Sequence, residues 1–478
     1  MQIERGQVSI FDGQERFRID KPMRLIELFA GYGSQALALK YLGVKFEHYK
    51  IYEWAIKSIQ AYKDMHFGSD NTDYSAELTK DEIFDKLCKY GISADYEKPM
   101  SISQIKRLGE NKARQIYNNI IATHNLVSVC NVKGKDFEIT DTDKYCYIMT
   151  WSFPCQDLSN AGQRKGMVEG SGTRSGLGWE VIRILKECKE RPQVLLMENV
   201  PQVIGKNNIK EFSKMIAELE TLGYTSKWEM LNATDFNVPQ NRERCFMVSI
   251  LGTDYYDFPK PIGCKRKLKD MLESNVSEEY YLKPEVVIQL IKHKERHDAK
   301  GNGFGWKPID MSVNGGGYAR TIKTKSDRPD TNFIIEQTSN NNRERNEYCE
   351  HSNGARLQRV RQSADERSNG NNRRGGYDTM YDIARRVYDT DGASPTLHTC
   401  AGGKLETKII VDEEGNNIIN GKKVRIHKLT EKERFRLQGV KDEDFDKIAE
   451  NQSKSSLNHL SGDSICVDVL MAIFEQML

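Results

Sequence analysis

Between residues 24 and 250, short apolar runs alternate with stretches of helical period, and this alternation leaves few architectures open. The runs at 24–29, 45–52, 145–151, 193–197, 225–231 and 245–251 read as strands; 34–42, 55–65, 177–188 and 209–222 read as helices. Strands that alternate with helices pair in parallel and are covered on both faces, so the expected class is α/β with a mostly parallel sheet. In such sheets ligands bind beyond the carboxyl ends of the strands.

The pattern is interrupted twice. A segment at about 68–129 reads as a helical insertion: Thr79 and Glu82 have capping-box spacing, and 102–125 reads as two helices bent at Gly109. From 260 to 385 periodicity is lost in the runs Gly315-Gly316-Gly317 and Asn340-Asn341-Asn342 and in the Arg- and Asn-rich stretch 343–376, the texture of recognition loops or disordered linkers. Apolar periodicity resumes at Arg386, and a helix is expected at 465–477 behind a turn at Gly462-Asp463-Ser464. A chain of 478 residues exceeds the usual single domain. The division expected is a first domain over 1–259, a smaller irregular one over 260–385, and a segment 386–478 that returns to the first.

The ten cysteines stand singly without CxxC pairs, which fits reduced thiols better than a disulfide framework or a structural zinc site. His293 and His297 are four apart but lack the His-Glu-x-x-His order, so they read as a solvated helix face. With neither a signal-type leader nor an uncharged run of 18 residues, the expectation is a cytoplasmic protein without a membrane partner. The net charge of +2 hides a local surplus: 260–386 carries 25 Lys plus Arg against 18 Asp plus Glu. That excess fits a polyanionic partner and also an ordinary solvated surface.

Four motifs fall at the expected strand ends. The first strand runs into Phe29-Ala30-Gly31-Tyr32-Gly33-Ser34, where glycines let the backbone approach a ligand and the following helix offers unpaired N–H groups. Glu53 ends the second strand, where a carboxylate can take both hydroxyls of a ribose, and Trp54 beside it can pack on an adenine. The spacing Gly31-x-Gly33-x-x-Ala36 also satisfies the dinucleotide fingerprint of NAD enzymes. Pro154-Cys155-Gln156 sets a thiol where the run 145–151 opens into a loop, 157–172, rich in Ser, Gly and Gln. Cys155 is therefore the candidate nucleophile, with a small buried hydrophobe as the competing reading. Glu198, in Glu198-Asn199-Val200, stands at the same sheet edge, and a desolvated carboxyl there could give a proton to a ring nitrogen. Arg242 and Arg244, in Gln240-Asn241-Arg242-Glu243-Arg244, are two apart at a strand edge and so share a face, able to clamp a carbonyl oxygen and orient Glu198.

In this order the motifs resemble the signature of the DNA (cytosine-5) methyltransferases of bacterial or phage type. Arg386-Val387-Tyr388 with Ser394-Pro395-Thr396-Leu397, and Gly462-Asp463-Ser464-Ile465, resemble that family's last two motifs. The resemblance implies a class I, Rossmann-like methyltransferase fold, S-adenosylmethionine as methyl donor, no metal, a catalytic and cofactor-binding domain at 1–259 and a target-recognition domain at 260–385. It implies cofactor contacts from Phe29, Ala30, Gly31, Gly33, Glu53, Trp54, Pro154, Asp463 and Ser464, and a catalytic set of Cys155, Glu198, Arg242 and Arg244. Cys155 would add to carbon 6 of a cytosine flipped out of duplex DNA, with Glu198 at N3 and an arginine at O2, so that carbon 5 can take the methyl group. Because a free thiol ionises only near about 8.5, some positive field beside Cys155 is expected.

Two departures accompany the likeness. Asp463 stands where the family commonly has Asn, and the acidic residue expected near the adenine on the third strand has no secure counterpart, Asp136 being the nearest choice. Double-stranded DNA is the implied partner, a cognate restriction endonuclease a further one, and a monomer the expected state. Three other readings compete. A tRNA methyltransferase is disfavoured by roughly a hundred extra irregular residues in the recognition region. A catalytically silent DNA-binding module is disfavoured by the intact set of Cys155, Glu198, Arg242 and Arg244. An NAD-linked oxidoreductase has only the glycine turn in its favour.

Overall fold

The computed structural model describes residues 15–155, 158, 166–170, 172–299, 306, 308–311, 317–324, 332–337, 410, 411, 417–419 and 422–478. Gln156, most of the loop 157–172, Gly315, Gly316, Asn340-Asn341-Asn342, the stretch 343–376, Arg386-Val387-Tyr388 and Ser394-Pro395-Thr396-Leu397 lie outside the described residues. The chain forms two units: Met1–Val276 with Gly315–Asn332 and Leu429–Leu478, and Ser277–Asn314 with Phe333–Lys428.

In the first unit the elements run β1 (Met23–Leu28), α1 (Ser34–Tyr41), β2 (Phe46–Tyr52), α2 (Ile56–Phe67), α3 (Lys80–Tyr90), α4 (Ile102–Arg107), α5 (Glu110–Ala122), β3 (Cys146–Trp151), α6 (Gly178–Glu187), β4 (Val194–Asn199), α7 (Ile209–Thr221), β5 (Tyr224–Asn232), β6 (Gln240–Asn241) and β7 (Glu243–Leu251). One six-stranded sheet has the order β2-β1-β3-β4-β7-β5. The pairs β1–β2, β1–β3 and β3–β4 are parallel; β4–β7 and β5–β7 are antiparallel. The sheet is thus mostly parallel, as expected, with β7 running against the other five strands. The short return at 233–242 has no crossover helix, and without one a strand can only come back antiparallel.

Alternation along each strand builds two cores. Ile148, Val194, Leu196, Phe246 and Val248 face one side with α1 and the helix Val467–Glu475; Tyr147, Met149, Trp151, Leu195 and Met197 face the other with α6 and α7. Burying such a side chain is worth about 1.5–3 kcal/mol, so the strand ends that carry the site stand on a rigid base.

The segment between α2 and β3 is helical. Thr79 and Glu82 cap α3 reciprocally, Ser101 and Gln104 do the same for α4, and Gly109 caps α5. These helices bury Ile83, Phe84, Leu87, Ile105, Ile116 and Ile120, and Trp54 packs against that core. At its end Asn125 bridges to Ile51, adding one residue of strand beside β2.

The C-terminal region departs from the sequence expectation. Gly462 and Asp463 end a helix, Lys454–Asp463, rather than forming a free turn, and the last helix is Val467–Glu475. Gly462 is required by close packing: a Cβ there would lie 2.4 Å from the Thr324 nitrogen. The stretch Lys454–Glu475 is long and apolar enough for a membrane span, with a mean hydropathy of 1.2, yet it is broken between two helices and 61% buried within the fold.

The second unit has a sheet ordered Ile410–Val411, Asn417–Ile419, Lys422–Lys428, Phe333–Gln337, Ile309–Asp310, and a helix Pro284–Ala299. Its core joins Val287, Trp306, Phe333, Ile335, Val424 and Ile426. His293 and His297 lie on that helix with ring centroids 4.3 Å apart.

Candidate active site

The register places the chemistry before any side chain is considered. Trp151 pairs with Met197, so the next residues along the two parallel strands, Ser152 and Glu198, are neighbours on one face. Glu198 pairs with Phe246 across the antiparallel boundary, which brings Arg244, two residues before Phe246, diagonally onto that face. The contacts follow: the Ser152 hydroxyl donates to Glu198 Oε2 at 2.6 Å, and Arg244 Nε lies 3.1 Å from Oε1. Glu198 is buried, and both of its oxygens are held.

Cys155 follows β3 by four residues and is half-buried. The backbone before it is fixed from two directions: Asn199 Nδ2 donates to the Phe153 carbonyl at 2.9 Å, and Ser175 Oγ to the Pro154 carbonyl at 2.6 Å. Its thiol lies within electrostatic reach of Asp463, Arg244, Glu198 and Arg242, of which Arg244 and Glu198 are in direct contact with each other. The field is not what the sequence reading anticipated. Burial, aided by the Asp463 and Glu198 carboxylates, outweighs the two arginines and pushes the thiol up to about 11, so the resting protein holds it protonated.

Arg242 does something sequence did not disclose. Its guanidinium is buried and donates to three backbone carbonyls, those of Ile322 at 3.1 Å, Gly462 at 3.1 Å and Ser464 at 2.6 Å. Burial and the neighbouring Arg244 lower it to about 10, still cationic at neutral pH. It ties the corner after Lys454–Asp463 to the end of β6, while Arg244 alone faces Glu198.

The glycine turn lies at the carboxyl end of β1. Phe29 and Gly31 take φ of 58° and 57°, and a Cβ at Gly31 would meet nothing within 4 Å, so the turn opens onto free space. Gly33 has φ of 83°, and there a Cβ would come within 2.4 Å of the His66 ring. Ala30 is buried. Glu53 points back at this turn: its Oε2 accepts from Gly31 N–H at 2.9 Å and its Oε1 from Ala55 N–H at 2.8 Å. Burial raises it to about 7 against those donors. Asn125, unremarked in the sequence, holds the Glu53 backbone by accepting from its N–H at 3.1 Å and donating to its carbonyl at 2.9 Å.

Trp54 is partly buried against the insertion core. The Asp463 carboxylate is half-exposed and pairs with His459 Nε2 at 2.9 Å. Ser464 is buried, and its hydroxyl donates to the Ser461 carbonyl. Asp136 lies in a short 3-10 turn, where its carboxylate accepts from Lys133 N–H at 2.8 Å.

An open glycine turn after the first strand, a carboxylate after the second, and a sheet ending in an antiparallel pair define the class I methyltransferase fold. The chain belongs to the C-5 cytosine-specific DNA methylase family, which matches residues 91–478. It is 38% identical over 263 residues to the type II methyltransferase M2.ScrFI of Lactococcus lactis subsp. cremoris, covering 55% of this chain and 70% of that protein. It is 35% identical over 284 residues to the orphan methyltransferase M.SssI of Spiroplasma monobiae, covering 58% and 71%. In fold it is similar to the Dnmt2 methyltransferase of S. pombe, with a TM-score of 0.53, 14% identity, and coverage of 96% of this chain and 98% of that one.

Proposed function

We propose that this chain methylates carbon 5 of cytosine in duplex DNA through Cys155, with Glu198 and Arg244 as its partners on the ring. The observation that carries this reading is one cluster: a thiol, a doubly held carboxylate and a guanidinium at adjoining strand ends, in the same unit as an open glycine turn. Carbon 5 of cytosine is a weak nucleophile. Addition of the Cys155 sulfur to carbon 6 as the thiol gives up its proton, with Glu198 taking up one proton and passing it to N3 and O2 held by Arg244, turns the ring into an enamine whose carbon 5 is nucleophilic. Loss of the carbon 5 proton and cleavage of the carbon–sulfur bond then restore the aromatic ring. The base must leave the helix for this, since its edge is inaccessible in a stacked duplex.

S-adenosylmethionine, when bound, supplies the electrophilic methyl group. The residues of this chain fit it: Gly31 and Gly33 with Phe29 and Ala30 form an open turn that would take it, Glu53 would accept from the ribose hydroxyls, Trp54 would pack on the adenine, and Pro154, Asp463 and Ser464 would hold the other end. Arg242 serves this pocket by fixing the 462–464 corner. We assign target recognition to the second unit, with Ser277–Asn314 and Phe333–Lys428 as its segments. A single copy suffices, since every proposed catalytic and cofactor residue lies in the first unit. A cognate endonuclease is the partner implied by type II relatives, and protection of methylated DNA from host-strain cleavage tests for it.

Transfer of labelled methyl groups, offered in parallel to duplex DNA and to tRNA, tests the reading. Label is expected in DNA, at cytosines that resist bisulfite conversion; label confined to tRNA would overturn the substrate, and label at another atom the mechanism.

Glu53 gives the cofactor site a pH dependence with a definite sign. Its proton is held up to about pH 7, and only the ionised form accepts fully from two hydroxyls. Affinity for S-adenosylhomocysteine should rise by up to about tenfold between about pH 6 and 8, and Glu53→Gln should bind more weakly with a flat profile. Calorimetric titration at the two pH values decides it. In stability the sign is opposite. The folded state retains this proton where the unfolded chain has lost it, so the contribution is complete below the ordinary value of 4.5 and is lost as pH rises through about 7.

A further inference from the structure

The insertion between α2 and β3 supplies no group to the reaction as described, yet besides Asn125 at its end, which holds the Glu53 backbone, a second of its side chains comes near the residues assigned to the cofactor. Tyr96 lies in the turn before α4 and holds φ of 62°, a conformation that a tyrosine keeps only where its surroundings enforce it. They do so here. Asp95 Oδ1 accepts from the N–H groups of Glu97 at 2.9 Å and Lys98 at 3.2 Å, Ser93 Oγ donates to the Lys98 carbonyl at 2.8 Å, and Arg174 donates to the Tyr96 carbonyl at 3.4 Å.

The ring so displayed packs against His459 with centroids 4.1 Å apart and planes tilted by 35°, and its hydroxyl lies 3.2 Å from Ser58 Oγ in the first turn of α2. His459 in turn pairs with Asp463. The phenol interacts electrostatically with both Glu53 and Asp463, the carboxylates assigned to opposite ends of the cofactor. Three segments far apart in sequence thus meet at this ring: the insertion, the start of α2 and the helix Lys454–Asp463.

We propose that Tyr96, braced by His459, forms the outer wall of the cofactor pocket and covers the stretch of S-adenosylmethionine between its ribose and its amino-acid end. The insertion is then a part of the cofactor site. This inference rests on the assignment of Glu53 and Asp463 as cofactor residues. A flat aromatic face suits the role because it excludes water from the ligand while losing little conformational entropy.

The test is titration of S-adenosylhomocysteine into wild type, Tyr96→Ala, Tyr96→Phe and His459→Ala, with steady-state kinetics on the same proteins. Loss of the ring should weaken binding about tenfold and raise KM for S-adenosylmethionine by a similar factor, with kcat changed by less than about twofold. Phenylalanine, which keeps the ring, should restore affinity to within about threefold of wild type, and His459→Ala should fall between the two substitutions at Tyr96. A folded Tyr96→Ala protein that binds as tightly as wild type overturns the proposal. If that variant does not fold, undiminished affinity in His459→Ala does so instead. Failure of the wild type itself to bind S-adenosylhomocysteine would overturn the cofactor reading beneath it, a separate result.

Discussion

A Cys155→Ser protein is expected to bind duplex DNA as the parent does and to transfer no methyl groups, with kcat reduced by at least about four orders of magnitude, or about 5.5 kcal/mol of barrier. The substitution changes one atom at a half-buried position whose backbone is fixed by Asn199 and Ser175, so the fold should persist. What changes is the nucleophile. A hydroxyl is far harder to ionise than a thiol, and in a site that already pushes the thiol up to about 11 an alkoxide is out of reach. The thiol is protonated at rest, so the attacking form must arise as base and cofactor arrive. DNA containing 5-fluorocytosine gives the companion result. The fluorine cannot depart as a proton does, so wild type should remain covalently joined to it and Cys155→Ser should not. Full activity in the serine protein would end the covalent mechanism.

Glu198→Gln should lower kcat by about 10² to 10⁴ with DNA affinity largely retained. The amide keeps the shape of the carboxyl and can still accept from Ser152, but it brings no charge to offset Arg244 and cannot take up a proton and pass it to N3. Arg244→Ala should also be slow, and because both residues serve one ring the double variant should lose less than the two single losses combined. Single-turnover rates of methyl transfer measure this directly. A Glu198→Gln rate within about twofold of wild type would remove Glu198 from the chemistry.

Sequence revealed what is local. The alternation of strands with helices located the edges where Cys155, Glu198 and Glu53 sit, because a run such as Cys146–Trp151 or Val194–Asn199 is buried along its whole length and the chain regains freedom only where it ends. The glycine turn was legible for the same reason. Contacts between distant segments were not. Ser152 gains its meaning from a register with β4, Asn125 from the backbone of Glu53 72 residues earlier, and Tyr96 from a histidine near the other end of the chain. The mostly parallel sheet was legible from the alternation, but which strand runs against the rest was not, because apolar runs do not state their direction. The turn expected at 462–464 failed on a glycine: Gly462 answers to the backbone of Thr324 pressed against it, a neighbour that no local pattern announces.

The guanidinium of Arg242 gathers carbonyls that lie 80 and 220 residues further on. Timing follows from this. During synthesis Cys155, the proposed nucleophile, leaves the ribosome early, but the clasp that shapes its surroundings waits for Ser464, so a prematurely terminated product would carry that thiol in an unassembled pocket. A cell making such fragments would gain no stray methylation from them.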